Sequence, residues 1–96
     1  MMEAARRIYK YTIMDIKFDI IEQLLMPQGS KPLSVGWQDG VGVVMWVDVP
    51  VDSPEVSKQF YFLPTGGQPP SWKEAPNFIG TVQMPGGIVG HLWVCV

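Results

Sequence analysis

A single cysteine, Cys95, excludes an internal disulfide framework, and with a single histidine, His91, the chain cannot assemble a zinc site of the usual Cys/His kind. Charge is also scarce: Asp, Glu, Lys and Arg make up 17% of the 96 residues, against roughly a quarter in ordinary globular proteins. Seven basic and nine acidic groups leave a formal charge of −2, so a polyanion binder held by bulk charge is excluded and no long nucleic acid is expected as a partner. No apolar run reaches the roughly eighteen residues of a membrane span. Glu3, Arg6, Arg7 and Lys10 interrupt the opening segment, which lacks the pattern of a secretory signal. A soluble, intracellular protein with no membrane contact is expected.

What the chain has in quantity is turn residues and alternation. Nine Pro and ten Gly punctuate one domain, residues 1–96. The dominant hydrophobic period is two. Strands are predicted over Arg7–Ile13, Asp15–Leu24, Leu33–Gln38, Val41–Val49, Lys58–Leu63, Phe78–Gln83 and Ile88–Val96. A helix competes over Asp15–Leu24, where Ile20, Ile21, Leu24 and Leu25 also fit a helical face. Met26-Pro27-Gln28-Gly29 is expected to break the chain. Asp39-Gly40 predicts a two-residue type I′ hairpin, since both turn residues must take positive φ. Seven short strands without a clear helix predict an all-β fold, a small antiparallel sandwich or barrel. The expected core is Ile8, Phe18, Leu33, Val35, Val43, Met45, Val47, Phe60, Phe62, Val82, Leu92 and Val94.

From Ala75 to Val96 there is no charged residue, and the last strand is apolar on both faces. A sandwich strand normally turns a polar face to water. The expected cover for the second face is another subunit, so a homo-oligomer is predicted; the alternative is a central barrel strand under the long Pro64–Pro76 loop.

The residues of acyl or metal chemistry are sparse. Nucleophilic catalysis needs a nucleophile, a base and an orienting group. His91 lies inside an apolar strand, the five serines occupy no nucleophile-elbow pattern, and the carboxylates show no metal-ligand spacing. The protein is expected not to be an enzyme and to need no cofactor or metal. Binding chemistry is better supplied. Thr65-Gly66 in the long loop can present backbone N–H groups to an anion, although a plain turn is the competing reading. Trp46 on a strand and Trp72 beside Lys73 offer flat apolar surfaces, though each also suits a structural anchor. Arg7 and Lys10 can meet phosphate or simply be solvated. His91 reads first as a satisfied core or interface histidine, and with Thr81 it can hydrogen-bond a base edge or ribose if it faces a pocket.

In order and spacing, Ile8-Tyr9-Lys10-Tyr11, Met26-Pro27-Gln28-Gly29, Met45-Trp46-Val47-Asp48, Thr65-Gly66, Ile79-Gly80-Thr81-Val82-Gln83 and His91-Leu92-Trp93 resemble a family of small uncharacterised tailed-phage proteins, catalogued as a domain of unknown function. The chain departs from that pattern at Gly67, where a larger polar residue often follows the TG pair, and at Gly90, where an aromatic often precedes the histidine. The resemblance implies an all-β fold, a phage origin and action in the host cytoplasm, but no established activity. By analogy with other small phage proteins, the expected function is counter-defence: sequestration of a nucleotide second messenger at subunit contacts. Inhibition of a host defence protein and a minor virion role are the alternatives.

Overall fold

The computed structural model describes residues 5–13, 21–68 and 77–95. Seven strands run β1 (Arg6–Ile13), β2 (Ile21–Pro27), β3 (Lys31–Gln38), β4 (Gly42–Pro50), β5 (Glu55–Pro64), β6 (Asn77–Met84) and β7 (Ile88–Val94), with a 3-10 turn at Pro85–Gly87. They form two antiparallel sheets, ordered β1-β4-β3 and β2-β5-β7-β6. The expected sandwich is observed. The sheets face each other with β3 against β6 and β2 against β4.

The core follows from alternation on the central strands. On β4, Val43, Met45, Val47 and Val49 point inward and are fully buried. Across the interface they meet Phe60 and Phe62 of β5, Val82 of β6 and Leu92 and Val94 of β7. Gly80 lets the two layers approach closely, and Gly90 makes room for a ring from the neighbouring strand of its own sheet. A Cβ on Gly80 would lie 2.9 Å from Val35 Cγ1, and one on Gly90 would lie 2.1 Å from Phe62 Cζ.

The strand boundaries agree with the sequence expectation more closely than the parity does. Ile8, expected in the core, is 65% exposed. Ile13 is the buried end of β1, and counting back by twos puts Tyr11, Tyr9 and Arg7 on the inner side. Ile8 therefore faces outward, opposite Asp48. Leu33 is 52% exposed because the register of β3 shifts between Pro32 and Ser34, leaving it unpaired. Val35 is only partly buried, but it packs on the core. Phe18 lies outside the described residues, as do residues 15–20 of the predicted second strand. Pro27 does not break that strand but closes it, opposite Glu55. β2 is an edge strand, where a missing N–H is tolerated.

The Asp39-Gly40 hairpin is present with one residue more than expected. Gly40 has φ +79 and the Val41 N–H donates to the Gln38 carbonyl at 3.0 Å. The ladder nevertheless pairs Gln38 with Gly42, so three residues span the tip. At the other crossing, Gly29 has φ +89, and both the N–H and the hydroxyl of buried Ser30 donate to the Pro27 carbonyl.

Tyr11 packs against the core from the edge strand. Burial, then the neighbouring Glu55 and Tyr9, hold its phenol above the ordinary tyrosine range. The folded state therefore disfavours phenolate relative to the unfolded chain, whose phenol ionises near about 10. The stability this provides is complete below that pH and is lost as pH rises through the folded value. Denaturant midpoints measured at rising alkaline pH should fall more steeply in the wild type than in Tyr11→Phe. Parallel alkaline limbs would contradict the assignment.

Candidate functional site

Six of the sequence-selected residues fall on opposite outer faces of the sandwich: Thr65, Gly66, Thr81 and His91 on one, Lys10 and Trp46 on the other. On the four-stranded sheet, the hairpin between β6 and β7 sets Thr81 opposite His91, and β5 places Leu63 on the other side of the same histidine. Thr81 Oγ1 lies 2.9 Å from His91 Nδ1, and Thr65 Oγ1 lies 2.9 Å from His91 Nε2. A neutral imidazole donates to one hydroxyl and accepts from the other; an imidazolium donates to both. The ring is thus held from both sides in either protonation state, half-buried but open to the surface.

Thr65 reaches the ring because the chain turns sharply after β5. The Gly67 N–H donates to the Pro64 carbonyl at 2.9 Å, and Gly66 takes φ +85. Aromatic rings adjoin the histidine. Phe78 packs edge-on to Trp93, with centroids 5.1 Å apart, and lies 6.4 Å from the His91 ring. Phe78 is 52% exposed and Trp93 half-buried. Strict alternation would put Phe78 and Thr81 on opposite faces. The register shift between Phe78 and Gly80 brings both to the outer one, beside Trp93 and His91 respectively.

Trp46 and Lys10 occupy the outer face of the three-stranded sheet, directly opposite one another in register. The Trp46 ring lies over Gly36, whose missing side chain leaves it room: a Cβ there would come within 3.4 Å of Cζ3. Lys10 Nζ donates to Gln38 Oε1 at 3.0 Å. Arg7 is exposed on the edge strand opposite Val49. Its neighbour Arg6 forms the ion pair of this region, Nε to Asp48 Oδ1 at 2.9 Å, and also reaches the Gly29 carbonyl. Both partners are well exposed, so Arg6→Ala should cost less than about 1 kcal/mol in a denaturant titration. A loss several times larger would show that the contact to Gly29 secures the β2–β3 crossing. Trp72 lies outside the described residues.

Within one chain, then, Thr65, Gly66, Thr81 and His91 come together, Lys10 and Trp46 form a separate group, and Arg7 joins neither. Sequence reasoning did not place Phe78 at the site; an exposed aromatic two residues before a strand glycine was the available signal. Among the described residues no group of three or more His, Cys, Asp or Glu is placed to share a metal ion, and no helix is long and apolar enough to cross a membrane.

The family model for DUF7352, a domain of unknown function, matches residues 4–95. The chain belongs to the DUF7352 family. No curated protein and no solved structure matches it. Gly67 and Gly90 both sit in sterically tight places beside the site. A Cβ on Gly67 would lie 2.9 Å from the Pro64 carbonyl oxygen, so the tight turn that delivers Thr65 admits no side chain there. The space beside Gly90 is filled by the Phe62 ring from the adjacent strand β5.

Proposed function

We propose that this DUF7352 protein is a non-enzymatic binding protein that takes a phosphate-bearing nucleotide on the outer face of its four-stranded sheet and holds it without turnover. The observation that carries this reading is the adjacency of a fixed hydrogen-bonding group, Thr65–His91–Thr81, to an exposed aromatic step, Phe78 on Trp93. A nucleobase needs a flat apolar surface and edge-directed polar groups. Phe78 and Trp93 offer the first; the threonine hydroxyls, each able to donate and accept, offer the second. The Thr65-Gly66 turn adds backbone N–H groups for a phosphate.

Enclosure of the ligand is assigned to a second copy of the chain. Exposed Leu25 and Phe78, with half-buried Val89 and Trp93, lie on this face. The phage origin and the role as a sponge for an immune signal belong to the same proposal, and their support is the sequence resemblance alone. Native mass spectrometry of protein purified from infected cells tests it: the expected species is an oligomer carrying intact nucleotide. A monomer free of nucleotide, or one carrying cleaved product, contradicts it.

A protein-binding reading has its own observation. Among the described residues β1 pairs with β4 alone, and Ile8 and Tyr9 on it are both exposed. A stoichiometric host protein in the same spectrum, with no nucleotide, would favour that alternative.

A further inference from the structure

We propose that a cleft at one end of the sandwich, lined by none of the described residues that the sequence offered as ligand contacts, is an anion-binding subsite for an organic phosphate. The cleft has a volume of about 400 Å³ and opens where β3 and β6 begin and β7 ends. That volume is within the range of small-molecule sites, roughly 300–1,000 Å³. Its cationic lining comes from Lys31 of β3 and Lys58 of β5, joined by the Asn77 amide; Leu33, Phe78 and Val94 supply apolar wall. No Asp or Glu lines it among the described residues.

The charge balance favours an anion. Asp48 stands opposite Lys31 in the ladder, but its carboxylate is engaged by Arg6 at 2.9 Å. Neither lysine has a carboxylate within ion-pair distance among the described residues, where Arg6–Asp48 is the pair formed. Two ammonium groups without an ion-pair partner among the described residues, beside a concave, partly apolar wall, suit a ligand that is anionic at one end and apolar at the other. Phe78 joins this cleft to the aromatic step, since it lines the cleft and also packs on Trp93. An elongated ligand can therefore set its phosphate between Lys31 and Lys58 and its planar part on Phe78. The subsite rests on the nucleotide reading only for the identity of that planar part.

Cys95 lines the same cleft and is the chain's one thiol, so it serves as a built-in reporter. The test is calorimetric titration of the full chain with AMP, adenosine and phenyl phosphate, paired with the rate of Cys95 alkylation by iodoacetamide. Lys31→Met and Lys58→Met remove charge and keep an apolar stem; Lys58→Arg keeps the charge. Thermal melts establish that each variant is folded. AMP and phenyl phosphate should bind more tightly than adenosine, slow alkylation of Cys95, and lose about tenfold in affinity in each methionine variant. Lys58→Arg should retain most of the affinity, and added salt should weaken binding. If AMP binds but neither lysine variant nor Cys95 responds, the subsite is overturned while the nucleotide reading stands. Lysine-dependent binding of phenyl phosphate without any nucleotide binding keeps the subsite and overturns the nucleotide reading. Absence of binding by all three probes overturns both.

Discussion

Gly90→Ala is expected to destabilise the fold by about 3 kcal/mol, at the upper end of overpacking costs. For a domain of this size that corresponds to a fall in Tm of roughly 12–24 °C. The φ of Gly90 is not in the left-handed region, so the cost is one of space. The new methyl would stand 2.1, 2.4 and 2.8 Å from three carbons of the Phe62 ring. Phe62 is itself buried in the core opposite Leu92, so the ring cannot swing into water. One strand or the other must shift, and the Thr81–His91 pairing on β7 shifts with it. The double variant Gly90→Ala/Phe62→Leu removes the ring atoms that collide. It should be more stable than the sum of the two single losses by about 1 kcal/mol or more. A Gly90→Ala protein that melts within about 2 °C of the wild type would contradict the packing of β5 on β7 described above.

Phe60→Ala should cost about 3–5 kcal/mol. Phe60 is the largest fully buried side chain, held opposite Val94 in the ladder and facing the inner residues of β4. Truncation loses both the transfer free energy of the ring and the contacts of the atoms around it, since surrounding strands in two sheets collapse only partly. Domains of this kind have roughly 5–15 kcal/mol in total, so the variant will be marginal at 37 °C. Urea titration is the measurement. A loss under about 1.5 kcal/mol would mean that the two sheets do not share one packed core.

Alternation made the seven strands legible because it is strongest where one face meets the core. On β4 the inward residues Val43, Met45, Val47 and Val49 are all buried, although outward Val44 is buried as well. Parity failed where alternation is weak or broken. β1 is an edge strand with apolar residues on both sides, and β3 carries a register shift; on β6, Val82 is buried as expected. A bulge changes the face of everything beyond it, and no single residue type marks its position. The contact of Thr81 with His91 is nearly local: a hairpin closing Met84 on Ile88 places 81 opposite 91 by counting. The contact of Thr65 with His91 is not, because it depends on β5 pairing with β7, strands that β6 separates along the chain. The cleft lined by Lys31 and Lys58 was invisible for the same reason, since four separate strands contribute to its lining.

One measurement bears most directly on the proposal that the His91 face holds a nucleotide without turnover. The purified protein is titrated calorimetrically with a panel of cyclic and linear nucleotides, and the bound nucleotide is recovered by heating and weighed by mass spectrometry. The account predicts heat from at least one nucleotide, recovery of that nucleotide intact, and about tenfold weaker binding in His91→Ala, which removes the ring that orders both threonines. No heat from any nucleotide, or recovery of a cleaved product, would contradict it.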